Sequence, residues 1–193
     1  MKNKLEELSK KYNVFSTKLL LENGFTKYHI KKLVMDKELV KLKHGLYTLV
    51  SELDDEFYYN QINNQYFVYS NETALYFHNL SDRYPNPLTV TTKRGYHLRN
   101  KNLKVYYVED ELLKLGIMEI DSPQGYPVKV YDPERTICDI IKNKNRIDPQ
   151  VYITGLQSYF LNGKPQLRKL SKYSKKLKVQ EKVMSIVELY MKP

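Results

Sequence analysis

Between residues 27 and 50 the apolar residues change their period, and that switch constrains the fold more than any other feature of the chain. Ile30, Leu33 and Val34 recur at helical spacing, whereas in LVKLKHGLYTLV the alternation sets Leu39, Lys41 and Lys43 on one side and Val40 and Leu42 on the other. A helix over residues 27–37 therefore gives way to a strand. His44-Gly45 suits a two-residue hairpin turn, because Gly takes positive φ freely and His tolerates it better than most, so residues 46–50 return as a second strand. Upstream, Leu5, Leu8 and Tyr12 make one helical stripe. Ser16 is placed to cap a short helix carrying Leu19, Leu20 and Leu21; Gly24 stops that helix and Thr26 caps the next. Three short helices followed by a hairpin read as a winged helix-turn-helix over residues 1–51.

Charge is distributed unevenly around this module. Residues 1–50 hold eleven Lys and five Asp or Glu, net +6; residues 51–163 are net −3; residues 164–193 are net +7. Basic surface attracts the nucleic-acid backbone through counterion release, although membrane surfaces and plain solubility also use it. On a helical wheel Lys27, Tyr28, Lys31 and Lys32 stand opposite Ile30, Leu33 and Val34, so one face packs and the other is cationic. In a helix-turn-helix the second paired helix enters the major groove with its N-terminal part near base edges. The sequence therefore predicts Lys27, Tyr28 and Lys31 at the bases and Lys32 beside them. Ser16, Thr17 and Lys18 are expected at the DNA backbone, with Lys41, Lys43 and His44 of the wing on a flanking phosphate.

Beyond residue 51 the pattern changes. Glu52, Asp54, Asp55 and Glu56 read as an acidic linker into a helix of Phe57, Tyr58, Tyr59 and Ile62. Strands are expected at 66–70, 87–92, 103–108, 116–120 and 126–132, with a helix over 71–80. From Asp132 the chain turns helical and ends in basic helices. Residues 52–193 thus read as a mixed α/β domain, and the whole chain as α+β.

In YDPERTICDII, residues 131–141, Asp132 can cap a helix, Pro133 suits its first position, and Ile137, Ile140 and Ile141 make a core stripe. Arg135 either pairs with Asp139 at i,i+4 or meets a partner. Catalytic patterns such as HExxH, GxSxG and GxxxxGK[ST] are absent, and His29, His44, His78 and His97 lack metal-ligand spacing. Glu72, Asp82, Glu119 and Asp121 could be gathered into a nuclease-like metal site. No metal, cofactor or catalytic residue is expected. The single cysteine, Cys138, excludes an intrachain disulfide, and no run of about 18 apolar residues occurs, so a cytoplasmic location is expected.

Taken together, the helix–wing segment, "SNETALYFHNLSDRYPNPLTVTT" and "DPERTICDI" resemble the AbiEi family, the antitoxins of type IV toxin–antitoxin systems that act in bacterial abortive infection and phage defence. The resemblance covers nearly the whole chain. It implies an N-terminal domain that represses its own operon by binding promoter inverted repeats, and a C-terminal domain that counteracts a nucleotidyltransferase-class toxin without a stable complex. It places the DNA-reading helix on residues 26–37 and the wing on 41–47. For the antitoxin surface, or a second DNA surface, the candidates are Arg135 and the basic tail residues Lys164, Arg168, Lys169, Lys172, Lys175 and Lys176. The other readings are a nuclease-like enzyme delivered to nucleic acid by the winged helix, and a one-component transcriptional regulator.

Overall fold

In the computed structural model of the chain, the structure describes residues 2–36, 38–49, 55–62, 66–98, 100 and 102–191, without the side chains of Lys2, Lys43, Tyr59 and Ile62. The protein is mixed α+β, with two sheets. It divides into two compact units, Met1–Gln65 with Asp121–Val128, and Tyr66–Ile120 with Lys129–Pro193.

The first unit opens with α1 (Lys2–Ser9), β1 (Val14–Ser16), α2 (Thr17–Glu22) and α3 (Lys27–Met35). Both expected caps form. The Ser16 hydroxyl accepts the Leu19 N–H at 3.0 Å. Thr26 accepts the His29 N–H at 3.2 Å while donating its own N–H to His29 Nδ1 at 3.2 Å, closing a capping box. The hairpin follows as β2 (Leu39–Lys43) and β3 (Leu46–Leu49), with Gly45 at φ +77° in the turn.

The sheet order is β1-β3-β2, antiparallel throughout. Strand β1 was not foreseen: Val14 and Phe15 are fully buried and carry no alternation that would announce a strand. The core gathers Leu5, Leu8, Phe15, Leu20, Phe25, Ile30, Leu33 and Leu39.

Helix α4 (Glu56–Ile62) also belongs to this unit. Asp55, expected in a linker, is instead buried. Its carboxylate accepts the Tyr58 N–H at 3.0 Å and the Ser122 hydroxyl at 2.6 Å, so it caps α4 and anchors the 121–128 turn, where Tyr126 stacks on Tyr58. The linker residues Glu52 and Asp54 lie outside the described residues.

The second unit holds β4 (Phe67–Tyr69), α5 (Asn71–Phe77), β5 (Leu88–Lys93), β6 (Leu103–Val108), α6 (Asp110–Leu113) and all but the turn-side ends of β7 (Ile117–Asp121) and β8 (Pro127–Tyr131), whose Asp121, Pro127 and Val128 count with the first. Then come α7 (Pro133–Lys142), α8 (Pro149–Gln157) running into a π-helical turn Ser158–Asn162, α9 (Leu167–Lys176) and α10 (Gln180–Met191). Its sheet order is β6-β5-β4-β8-β7, antiparallel between β4 and β5 and parallel between β4 and β8 and between β5 and β6.

Helix α7 is the centre of this unit. Every residue from Glu134 to Ile141 is buried, and Ile137, Ile140 and Ile141 join Leu75, Leu156, Phe160, Leu170 and Val183 in the core. The expected core stripe is present, but the polar side of the same helix is buried as well. Among the described residues no helix is long and apolar enough to cross a membrane.

Candidate nucleic-acid interface

An open groove of about 910 Å³ in the first unit is lined by Ser16, Thr17 and Lys18 at the start of α2, by Lys27, Ile30, Lys31, Val34 and Met35 of α3, and by Lys41, His44, Gly45 and Tyr47 of the hairpin. The local fold explains why these segments converge. Thr17 donates its N–H to the Gly45 carbonyl at 2.8 Å and its hydroxyl to the same oxygen at 3.2 Å, which ties the hairpin turn to the first residue of α2. Residues 39 and 41 share a strand face that runs from the core to the groove: Leu39 and its partner Leu49 lie at its core end, and Lys41 and its partner Tyr47 line the groove further along it. Residues 27, 31 and 35 fall on one flank of α3, four apart, and Ile30 and Val34 form the floor beneath them.

The groove is cationic without compensation. Four of its lining residues are lysines and none is Asp or Glu. Among the described residues no carboxylate lies within ion-pair reach of Lys27, Lys31, Lys32 or Lys41, and Lys18 meets Glu22 only at 3.8 Å with both side chains exposed. A set of like charges held together at a surface produces a field that favours a polyanion.

The structure brings seven of the ten sequence-selected residues of this unit to the groove: Ser16, Thr17, Lys18, Lys27, Lys31, Lys41 and His44. Tyr28, 71% exposed, and Lys32 stand on the exposed face of α3 beside it. The Lys43 side chain lies outside the described residues. Ser16 is 8% exposed and its hydroxyl is engaged in capping, so its role is to start α2; Thr17 likewise holds the hairpin turn. Sequence reasoning missed Met35, which is 72% exposed at the groove edge. Its signal was an apolar residue four after Lys31 and off the buried stripe.

In the second unit the candidates divide differently. Arg135 presents no surface: it is 0% exposed. Its Nε donates to Asp139 at 2.9 Å, its Nη1 donates to the Leu112 and Leu115 carbonyls at 2.6 and 2.8 Å, and its guanidinium lies 4.2 Å from the centre of the Tyr131 ring. Burial pushes the Asp139 carboxyl above the usual range, and the Arg135 charge opposes that rise. The partner-contact role considered for Arg135 therefore gives way to the internal pair, because the side chain is enclosed on every side.

Lys169 is also engaged internally, with Asp132 at 3.2 Å and Glu134 at 2.9 Å. Tyr173 donates to Asp132 at 3.0 Å and Tyr159 donates to Glu134 at 3.1 Å, completing a polar cluster around the first turn of α7. Lys164, Arg168, Lys172, Lys175 and Lys176 remain exposed. The acidic residues Glu72, Asp82, Glu119 and Asp121 do not assemble: Glu72 pairs with Lys104 at 2.8 Å, and among the described residues no group of three His, Cys, Asp or Glu is placed to hold a metal ion.

No family model matches the chain, and no curated protein matches it in sequence. Among solved structures the fold is similar to the crystal structure of the Rv2827c protein from Mycobacterium tuberculosis. The TM-score is 0.70 at 12% identity, over 95% of this chain and 74% of that one.

Proposed function

We propose that this chain is a DNA-binding autorepressor and antitoxin, whose first unit is a winged helix-turn-helix that docks on duplex promoter DNA. The observation that carries the DNA reading is the groove between α3 and the hairpin, with Lys18, Lys27, Lys31 and Lys41 on its walls and no carboxylate among its lining residues. In this reading α3 lies in the major groove, with Lys27, Tyr28 and Lys31 at base edges, while Lys18, Lys41 and His44 meet phosphates.

The antitoxin half rests on the resemblance to AbiEi proteins in residues 70–92 and 132–140, and the partner it implies is a nucleotidyltransferase-class toxin encoded beside it. The exposed cations Lys164, Arg168, Lys172, Lys175 and Lys176 are the surface offered for that role or for further DNA contact. No enzymatic activity is assigned to the chain.

Both halves are tested in the full-length protein. The triple variant Lys27→Ala, Lys31→Ala, Lys41→Ala should lose binding to a duplex carrying the protein's own promoter and still rescue cells expressing the adjacent toxin gene. Retained promoter binding would overturn the interface. Failure of the wild-type protein to rescue would overturn the antitoxin role.

A further inference from the structure

The exposed face of α3 is not uniformly cationic. Tyr28 and Met35, 71% and 72% exposed, place two apolar groups on it, and Lys31 lies between them in the sequence, three residues after Tyr28 and four before Met35. A single exposed apolar residue needs no explanation. Here two of them flank an unpaired lysine at the edge of the groove that Lys27 and Lys31 line, and neither contributes to the core of the unit. Lys31 can donate to the N7 and O6 acceptors of guanine in the major groove, and the Tyr28 hydroxyl can reach a polar group or a phosphate, but the carbon edge of the tyrosine ring and a thioether have no such match. The apolar feature that the major groove offers is the C5 methyl group of thymine.

We infer that Tyr28 and Met35 read thymine methyl groups on either side of a base pair contacted by Lys31. The inference rests on the duplex-DNA reading of the groove and adds to it which bases are recognised. The helix sets the spacing. Seven residues at 1.5 Å rise separate the two side chains by about 10 Å along α3, which corresponds to about three base steps of 3.4 Å. The recognised half-site thus carries two thymines about three steps apart with a guanine acceptor between them. Methionine suits the far position because its flexible, polarisable side chain adapts to a methyl surface.

The test uses the full-length protein and the tightest duplex recovered from a randomised library. Each thymine of that duplex is replaced in turn by deoxyuridine, which lacks only the methyl group. Replacement at two positions about three steps apart should each weaken wild-type binding about fourfold, the worth of one buried methyl. Tyr28→Ala and Met35→Ala should each erase the penalty at one of the two positions, whereas Lys31→Ala should weaken thymine and uracil duplexes alike. Tight binding that no uracil replacement weakens would overturn the inference and leave the DNA interface standing. So would penalties that persist unchanged in both apolar variants. Absence of any duplex enriched from the library would overturn the interface itself. Both residues are exposed, so thermal melts matching wild type establish that the variants fold.

Discussion

Helices α3 and α7 are both rich in charge, and the structure uses that charge in opposite ways. On α3 the cations of Lys27, Lys31 and Lys32 face outward with no carboxylate in reach among the described residues, above an apolar floor. On α7 and its cap, Asp132, Glu134, Arg135 and Asp139 are buried and joined to Lys169, Tyr159, Tyr173 and backbone carbonyls. Uncompensated surface charge contributes little to folding and is available to a partner. Buried paired charge is costly to break and specifies one arrangement of the elements around it. The contrast leaves the first helix available to a partner and makes the second part of the architecture.

The contrast breaks most readily at Arg135. Replacing it with Met removes the cation facing buried Asp139 and should destabilise the protein by about 3–5 kcal/mol in denaturant melts, because an unpaired buried charge remains. Lys31→Met should change stability by no more than about 0.5 kcal/mol while weakening DNA binding. Equal effects of the two substitutions on stability would dissolve the distinction.

Next in size is Gly116, at φ +79°, where an added Cβ would stand 2.7 Å from the Cβ of Arg135. Gly116→Ala combines left-handed strain with a clash against the buried arginine and should cost about 2–3 kcal/mol, again read by denaturant melts. Gly125→Ala, at φ +83° but with open space around its Cβ, carries only the strain and should cost less.

The smallest effect sharpens the electrostatics around α7. Burial holds the His78 imidazole below its ordinary value, against the pull of the Tyr131 carbonyl 2.6 Å from Nε2 and of the Asp132 and Glu134 charges; Lys169 adds to the lowering. The folded protein therefore favours neutral His78. Its contribution to stability is fully present above the ordinary value of 6.5 and is lost as pH falls through the lower folded value. A modest drop in urea midpoint on acidification below that range should shrink in His78→Gln, and an identical drop in both proteins would count against it.

Where local physics decides, the sequence was legible. Ser16 and Thr26 cap as expected because a short hydroxyl side chain next to an apolar run has one good use. His44-Gly45 turns the hairpin because glycine accepts its φ. The α3 lysines of the groove, Lys27 and Lys31, were also found, since their offset from Ile30 and Leu33 forces them outward.

Tertiary packing hid the rest. Val14 and Phe15 become a strand only because β3 is beside them. Asp55 looks like one more linker acid until Ser122, distant in sequence, meets it. Arg135 and Lys169 carry the same formal charge as Lys31, and only burial separates their roles. Met35 was overlooked because a lone methionine near a helix end resembles a core residue.

The salt dependence of duplex binding tests the central claim most directly, measured for the full-length wild type and for the triple variant Lys27→Ala, Lys31→Ala, Lys41→Ala under identical conditions. Each lysine–phosphate contact contributes about 0.9 to the slope of log K against log salt. With Lys41 on a phosphate and Lys27 and Lys31 at base edges, the triple variant's slope should be shallower by about 0.9 units, with a large loss of affinity at low salt and an unchanged melting transition. An unchanged slope and affinity in a folded triple variant would contradict the assignment of this groove to DNA.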